Sequence, residues 1–336
     1  MLILCYATAL DYWRLSALEE AERRSNRAIR PDSMQISKVQ KCWISPPKKA
    51  PDLAALDSMS AETFVSPLDI MIGDRGARLS SHRIKQHLFT ENTPQGSFVY
   101  SEEGYAVSSP EFCLFQMASQ LSLIRLIELA FELCGDYSLP ARKNKESSAA
   151  VLSKGFVDRP ALTNKRKLAT FASRMQGVNG RRKIERALRY VVEGSRSPME
   201  TKLVMLLTLP FQLGGYNFSM PILNKRILPT YNVKAAVDKQ YYSCDLFWPD
   251  YDLAVEYDSN MFHSGPEHIA NDSKRRNSLI SLGVTPFTFT SRQIYSLSGF
   301  DKEARKIASH MGRRLQIRNP GFYKARQELR NELLWR

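Results

Sequence analysis

Hydrophobic and polar positions change period repeatedly along the chain, and each change marks a predicted element. The start, MLILCYATALDYW, is an apolar run followed by a polar helical stretch, ALEEAERR, and predicts a buried first strand or helix. Pro31, Pro46 and Pro47 then punctuate the chain around a strand-like KCWISPPKK. In TFVSPLDIMIGDRGARL, Ser66 before Pro67 predicts a helix N-cap and first turn, broken by Gly73 and Gly76. SHRIKQHLF carries His82 and His87 at a spacing that does not place both on one helical face, which argues for surface or strand histidines over a metal pair. Gly96–Ser108 alternates as two strands around a turn. Ser108–Gly135 is the strongest helical signal, started by Ser109 and Pro110, stopped by Gly135, and long enough to predict a break near Ser119–Ser122. Its broad apolar face reads as a core helix.

Further helices are predicted over 164–175 and 180–192. Ser197 and Pro198 open another that continues through Met199–Leu209. After a turn and strand in GGYNFSMPILNKRIL, two apolar-aromatic runs flank the turn-forming Pro249–Asp252. A helix over His268–Leu282 with Gly283 as its stop, a buried strand over Val284–Thr290, an amphipathic helix over Asp301–Leu315 and a helical tail to Arg336 complete the chain. No internal repeat or low-complexity segment interrupts it.

Length and charge sharpen this picture. At 336 residues, two domains are expected. The chain is 43% hydrophobic and 24% charged, as a globular protein is, and its net charge of +14 favours a polyanionic partner. No run reaches the roughly 18 apolar residues of a membrane span, so nucleic acid is favoured over a membrane. LILC mimics a lipoprotein box, yet no apolar leader precedes it. The five cysteines are scattered without CxxC pairs or zinc-ligand spacing, which predicts reduced thiols and a cytoplasmic setting. Basic residues concentrate after the linker LPARKNKESS, in Lys165–Lys167, Arg174, Gly180–Lys183 (with Arg181 and Arg182), Arg186 and Arg189. They form either a phosphate-tracking face or a solvated helix surface.

The candidate chemistry lies in CDLFWPDYDLAVEYDSNMFH, Cys244–His263. A hairpin centred between Asp250 and Tyr251 places Asp245 opposite Glu256, and side-chain alternation puts Glu256 and Asp258 on one face. Three acids so close repel one another unless a cation or a proton lies between them, which points to a divalent-metal site. Glu200, in the first turn of its helix, either complements the helix dipole or reaches the same site. Asp250 and Asp252 read as turn residues.

SPMETKLVMLL, CDLFWPDYDLAVEYDSNMFH and DSKRRNSLISLGVTPFTFT together resemble the very-short-patch-repair-like branch of the PD-(D/E)XK nuclease superfamily, over about Ser195–Ile294. The resemblance implies a restriction-endonuclease-like α/β core, a mixed central sheet flanked by helices, and phosphodiester cleavage dependent on Mg2+, with Mn2+ as a substitute. It implies Asp245 and Glu256 as metal-binding acids, Asp258 as the second acid of a Glu-x-Asp motif, His263 as the histidine after it, and Asp272 with Arg275 as an Asp-x-x-Arg on the next helix. Glu200 matches an acid that some members direct to the metal. The lysine usual two residues after the second acid is here Asp258, and the common Asp-Gly is Asp258–Ser259. His263 then becomes the candidate base, with a strand-exit cap as its structural alternative. Lys274, Arg275 and Arg276 are candidate phosphate contacts, while Asp272 with Arg275 or Arg276 is equally a structural salt bridge. EGYAVSSPEFCLFQMA resembles part of the C-terminal region of AbiEi-like antitoxins, which implies a prokaryotic defence or toxin–antitoxin setting.

The sequence thus predicts an α+β recognition or regulatory module over 1–140, a basic helical connector over 141–194 and a nuclease-like domain over 195–336. The leading function is a metal-dependent endonuclease with DNA as the favoured substrate. The alternatives are a non-catalytic nucleic-acid-binding regulator with a decayed nuclease core, and a partner-binding component of a defence complex.

Overall fold

The computed structural model describes residues 2–25, 41–42, 45–51, 64–101, 104–142, 154–229, 239–258 and 266–335. It is an α/β protein with mixed parallel and antiparallel sheets. The chain divides into two compact units, Met1–Val191 and Val192–Arg336. The predicted basic connector is therefore not a separate segment where it is described. Its helices belong to the first unit.

The N-terminal unit holds strands β1 (Ile3–Leu4), β2 (Lys41–Cys42), β3 (Leu68–Ile72), β4 (Ile84–Leu88), β5 (Phe98–Tyr100) and β6 (Ala106–Ser108), in the sheet order β2-β5-β6-β1-β3-β4. β1 runs parallel to β6 and β3 parallel to β4, and the remaining neighbours are antiparallel. The LDIMI of β3 overturns the predicted helix after Ser66–Pro67. Every residue of that strand is buried between two others, and burial in the sheet outweighs a local cap signal. The predicted long helix is two, α2 (Pro110–Met117) and α3 (Leu123–Cys134), each with its own serine cap, Ser109 and Ser122.

Helix α1 (Tyr6–Ser25) is tied down by polar contacts. Trp13 Nε1 donates to Ser108 O at 3.0 Å. Arg14 grips Glu132 through Nε–Oε1 at 2.8 Å and Nη2–Oε2 at 2.7 Å, and Arg142 Nε donates to Asp11 Oδ2 at 2.6 Å. A small antiparallel pair, β7 (Tyr137–Ser138) and β8 (Val157–Asp158), precedes helices α4 (Lys165–Arg174) and α5 (Arg181–Leu188), the latter shorter than the predicted 180–192. Phe171 of α4 packs on Phe112 and Phe115 of α2, with ring centroids 5.6 and 6.3 Å apart.

The C-terminal unit runs α6 (Pro198–Thr208), β9 (Ile222–Ile227), β10 (Tyr242–Trp248), β11 (Leu253–Asp258), α7 (Pro266–Ser281), β12 (Thr285–Thr290), α8 (Ser291–Tyr295), α9 (Leu297–His310) and α10 (Phe322–Leu334). Its sheet order is β12-β11-β10-β9. β11 and β12 are parallel across the α7 crossover, and the other pairs are antiparallel. The amphipathic helix predicted over Asp301–Leu315 begins earlier, capped by Ser296, and ends at His310.

The last helix is locked by Arg326, whose Nη1 donates to both carboxylate oxygens of Asp301 at 2.7 Å, with the Tyr216 hydroxyl donating to the same acid. Gly214, at φ 86°, faces Ala325 O so closely that an added Cβ would lie 2.4 Å from it, which allows α10 to pack on this turn. Asp301→Ala strands the buried Arg326 and is expected to lower stability by about 2–3 kcal/mol in thermal denaturation, whereas a change on the exposed Lys324 leaves the transition in place.

Candidate functional site

The hairpin adopts the predicted register. Leu246, Phe247 and Trp248 pair with Val255, Ala254 and Leu253 around a turn at Pro249–Tyr251, with Asp252 left-handed at φ 44°. One step further along this register Asp245 faces Glu256. Here the ladder opens, and Tyr257 N donates to the Asp245 side chain, N–H to Oδ2, at 3.0 Å. A β-sheet hydrogen bond is replaced by a bond to a carboxylate, which fixes the acid in place.

Glu200 enters the same site from the first turn of α6. It is buried, not the surface acid that a dipole role alone suggests. Its carboxylate accepts from Arg196 N at 2.9 Å, from Ser197 Oγ at 3.1 Å and from Asn224 Nδ2 at 2.7 Å. Asn224 sits inside β9 at φ 49°, in the left-handed region, and also donates to Gly194 O at 2.9 Å. A non-glycine residue in that conformation inside a strand marks a constrained position. The sequence reading missed it, although an asparagine in the middle of ILNKRI, a poor strand residue, was the available signal.

The neighbouring acids bear on Asp245. Asp245 is pushed up to about 7, first by burial and then by repulsion from Glu200, with Glu256 adding to it; the Tyr257 amide and Arg275 pull the other way. Glu200 is raised by burial despite its three hydrogen bonds. Cys244, on the same strand, is driven to about 12 by burial and by Glu256, which keeps its thiol protonated near neutrality.

Glu256 does not stand free for a metal. Arg275 of α7 binds it through Nε at 3.3 Å and through Nη2, and the same Nη2 reaches Ser243 O at 2.5 Å. This corrects two expectations. Arg275 is not a free phosphate contact, and its carboxylate partner is Glu256, not Asp272, which is exposed on the helix. Lys274 and Arg276 are exposed on that helix. Asp258 ends β11, half-buried, opposite Thr290 of β12. His263 lies outside the described residues.

Among the described residues, no group of three or more His, Cys, Asp and Glu side chains is placed to hold a metal ion, so the predicted three-acid cluster is not assembled. Asp245 and Glu200 nevertheless fit a hard cation, because Mg2+ takes one or two carboxylates and completes its shell with water and phosphate oxygens. Burial raises Asp245 most and the Glu200 charge adds to it, as expected of a donor pair with no cation between the acids.

The basic residues predicted on α5 divide. Arg181 Nε pairs with Glu185 at 2.8 Å. Lys183 Nζ donates to Ala118 O at 3.0 Å and to Leu121 O, so it satisfies carbonyls at the end of α2 and is not available to phosphate. Arg182, Arg186 and Arg189 are exposed. Their spacing of four and three residues makes one helical stripe. No helix among the described residues is long and apolar enough to cross a membrane.

No protein-family model, curated protein or solved structure matches the chain.

Proposed function

We propose that the C-terminal unit is a metal-dependent endonuclease of the restriction-endonuclease-like type, acting on DNA in a prokaryotic defence setting. The observation that carries this reading is the pairing of Asp245 on β10, held by the Tyr257 amide, with the buried Glu200 on α6, whose charge helps push Asp245 up to about 7. Two acids brought together from different elements cost stability through burial and repulsion, and such an arrangement is typical of sites kept for chemistry. The exposed basic residues of α5 and α7 favour a phosphate backbone as partner.

In this reading Asp245 and Glu200 hold Mg2+, or Mn2+ in its place, with Glu256 beside them. When bound, the ion offsets the negative charge of a phosphodiester and lowers the pKa of a bound water. Glu200 is held in position by Ser197, Arg196 N and Asn224. Asp245 is oriented by the Tyr257 amide. Arg275 clamps Glu256 and brings a positive charge to the edge of the site. His263 is the candidate proton carrier, because histidine is the side chain suited to moving a proton near neutrality.

A second reading, a nucleic-acid-binding regulator with a decayed nuclease core, draws on the Arg275–Glu256 pair, in which a guanidinium takes the place a cation would otherwise fill. Incubation with plasmid, linear and single-stranded DNA in Mg2+ and in Mn2+ separates the two. The endonuclease cleaves at least one of them, and Glu256→Ala cleaves it on the order of a hundredfold more slowly. Binding without cleavage of any substrate favours the regulator.

A further inference from the structure

The two oxygens of the Glu200 carboxylate are engaged unequally. A carboxylate has about four acceptor sites, shared equally between its oxygens. Oε2 takes both the Arg196 amide, at 2.9 Å, and Asn224 Nδ2, at 2.7 Å, while Oε1 takes the Ser197 hydroxyl at 3.1 Å. Oε2 is thus filled from within the protein, and Oε1 keeps room for a further partner. Asp245 shows the same asymmetry. Its Oδ2 takes the Tyr257 amide, and among the described residues nothing donates to its Oδ1.

Arg196 and Ser197 belong to the turn that opens α6, whereas Asn224 reaches Glu200 from another element, β9. The pairs Cys244–Lys225 and Leu246–Leu223 place Asn224 opposite Asp245 in the sheet. Its left-handed backbone, at φ 49°, suits asparagine better than most residues with a side chain, and β9 is an edge strand, so only one ladder is disturbed. The amide is fixed in one orientation. Nδ2 also donates to Gly194 O at 2.9 Å, so a flipped amide would turn its oxygen onto two acceptors. Oxygen supply separates hard cations of equal charge. Mg2+ takes single carboxylate oxygens in an octahedral shell completed by water, whereas Ca2+ is larger, gathers about six to eight oxygens and also takes both oxygens of one carboxylate. With Oε2 filled, Glu200 has only one oxygen to give.

We propose that Asn224 sets the metal preference of this centre: by filling Oε2 it restricts Glu200 to ligation through Oε1 and so favours Mg2+ over Ca2+. Asn224 is a positioning residue in this role and touches no metal itself. The inference rests on the metal-centre reading above and extends it from the acids to the strand residue that orients one of them.

Mn2+ binding to the full chain, followed by the paramagnetic resonance of the free ion, tests this, with displacement by Mg2+ and by Ca2+ giving their relative affinities. Asn224→Gly keeps the left-handed backbone and removes the amide. It is expected to lower Mg2+ affinity about tenfold, as loss of a partner that orients a metal ligand does. Ca2+ gains the freed Oε2, so the ratio of Ca2+ to Mg2+ affinity is expected to rise about tenfold or more while the thermal transition stays in place. Asn224→Asp also suits this backbone but cannot donate, and it is expected to move the ratio in the same direction. A purely structural asparagine would shift the thermal transition and leave the ratio alone. Wild-type binding of Mn2+ together with an unchanged ratio in both variants, or a ratio displaced toward Mg2+, overturns the role of Asn224 and leaves the metal centre standing. No saturable binding of Mn2+ by the wild type overturns the metal centre, and the role of Asn224 with it.

Discussion

Asp245→Asn is expected to make the metal-free protein more stable than the wild type above pH 7, by as much as about 4 kcal/mol, and no different below the ordinary aspartate range. The sign follows from its titration. The folded-state value of about 7 lies above the ordinary 3.8, so between these limits the folded protein holds a proton that the unfolded chain has released. Stability is therefore fully present below the ordinary value and falls as pH rises through about 7, where burial and Glu200 penalise the charged acid. Asparagine carries no such charge and keeps an oxygen for the Tyr257 amide. Thermal denaturation of both proteins in EDTA across this range measures it. Coincident pH profiles would show that Asp245 is neither buried against like charge nor held at cost. Asparagine at this position removes the oxygen anion a metal needs, so the same change that stabilises the fold abolishes the proposed activity.

The second large effect lies in the N-terminal unit. Glu132→Ala is expected to destabilise it by about 3–5 kcal/mol, a fall in Tm of roughly 10 °C for a unit of this size. Glu132 is buried, holds Arg14 through two short bonds and accepts from Leu139 N at 3.1 Å. Burial alone would raise its pKa, but the charge and hydrogen bonds of Arg14 outweigh it and hold the carboxyl below its ordinary range. Removing the acid leaves the half-buried Arg14 without its bidentate partner, and it also detaches α1 from α3. With the acid present, this contribution is retained at neutral pH and is lost as pH falls through the depressed folded-state value. Replacing Arg14 and Glu132 together by leucine is expected to cost less than Glu132→Ala, because the Arg14 charge is removed with its acid and only Arg159 loses a partner. Equal losses would mean that packing, not charge, dominates there.

Much of the C-terminal unit was legible because its signals are local. The turn residues of PDYD fixed the hairpin centre, and hence the facing of Asp245 and Glu256, since register follows turn geometry. The capping serine and first-turn proline placed α6, and Gly283 placed the end of α7. What escaped depends on distant partners. Arg275 was read as a phosphate contact from its basic neighbours, yet the crossover brings it onto Glu256, nineteen residues away in sequence. Lys183 looked like part of a basic face, but its ammonium meets the carbonyls of Ala118 and Leu121, more than sixty residues upstream. The helix expected after Ser66 failed for a similar reason, because LDIMI is apolar at every second position or better and is claimed by strands on both sides. Alternation alone put three acids on one face. It could not foresee that Glu200 would raise Asp245 more than Glu256 does or that an arginine would take Glu256.

The initial rate of plasmid nicking as a function of Mg2+ concentration, for wild type beside Asp245→Asn, tests the nuclease assignment most directly. The wild type is expected to cleave at a rate that rises and saturates with Mg2+ and vanishes in EDTA, and Asp245→Asn to be slower by on the order of a thousandfold while folding normally. Equal cleavage by the two proteins, or cleavage that persists in EDTA, would contradict a metal-dependent site built on Asp245.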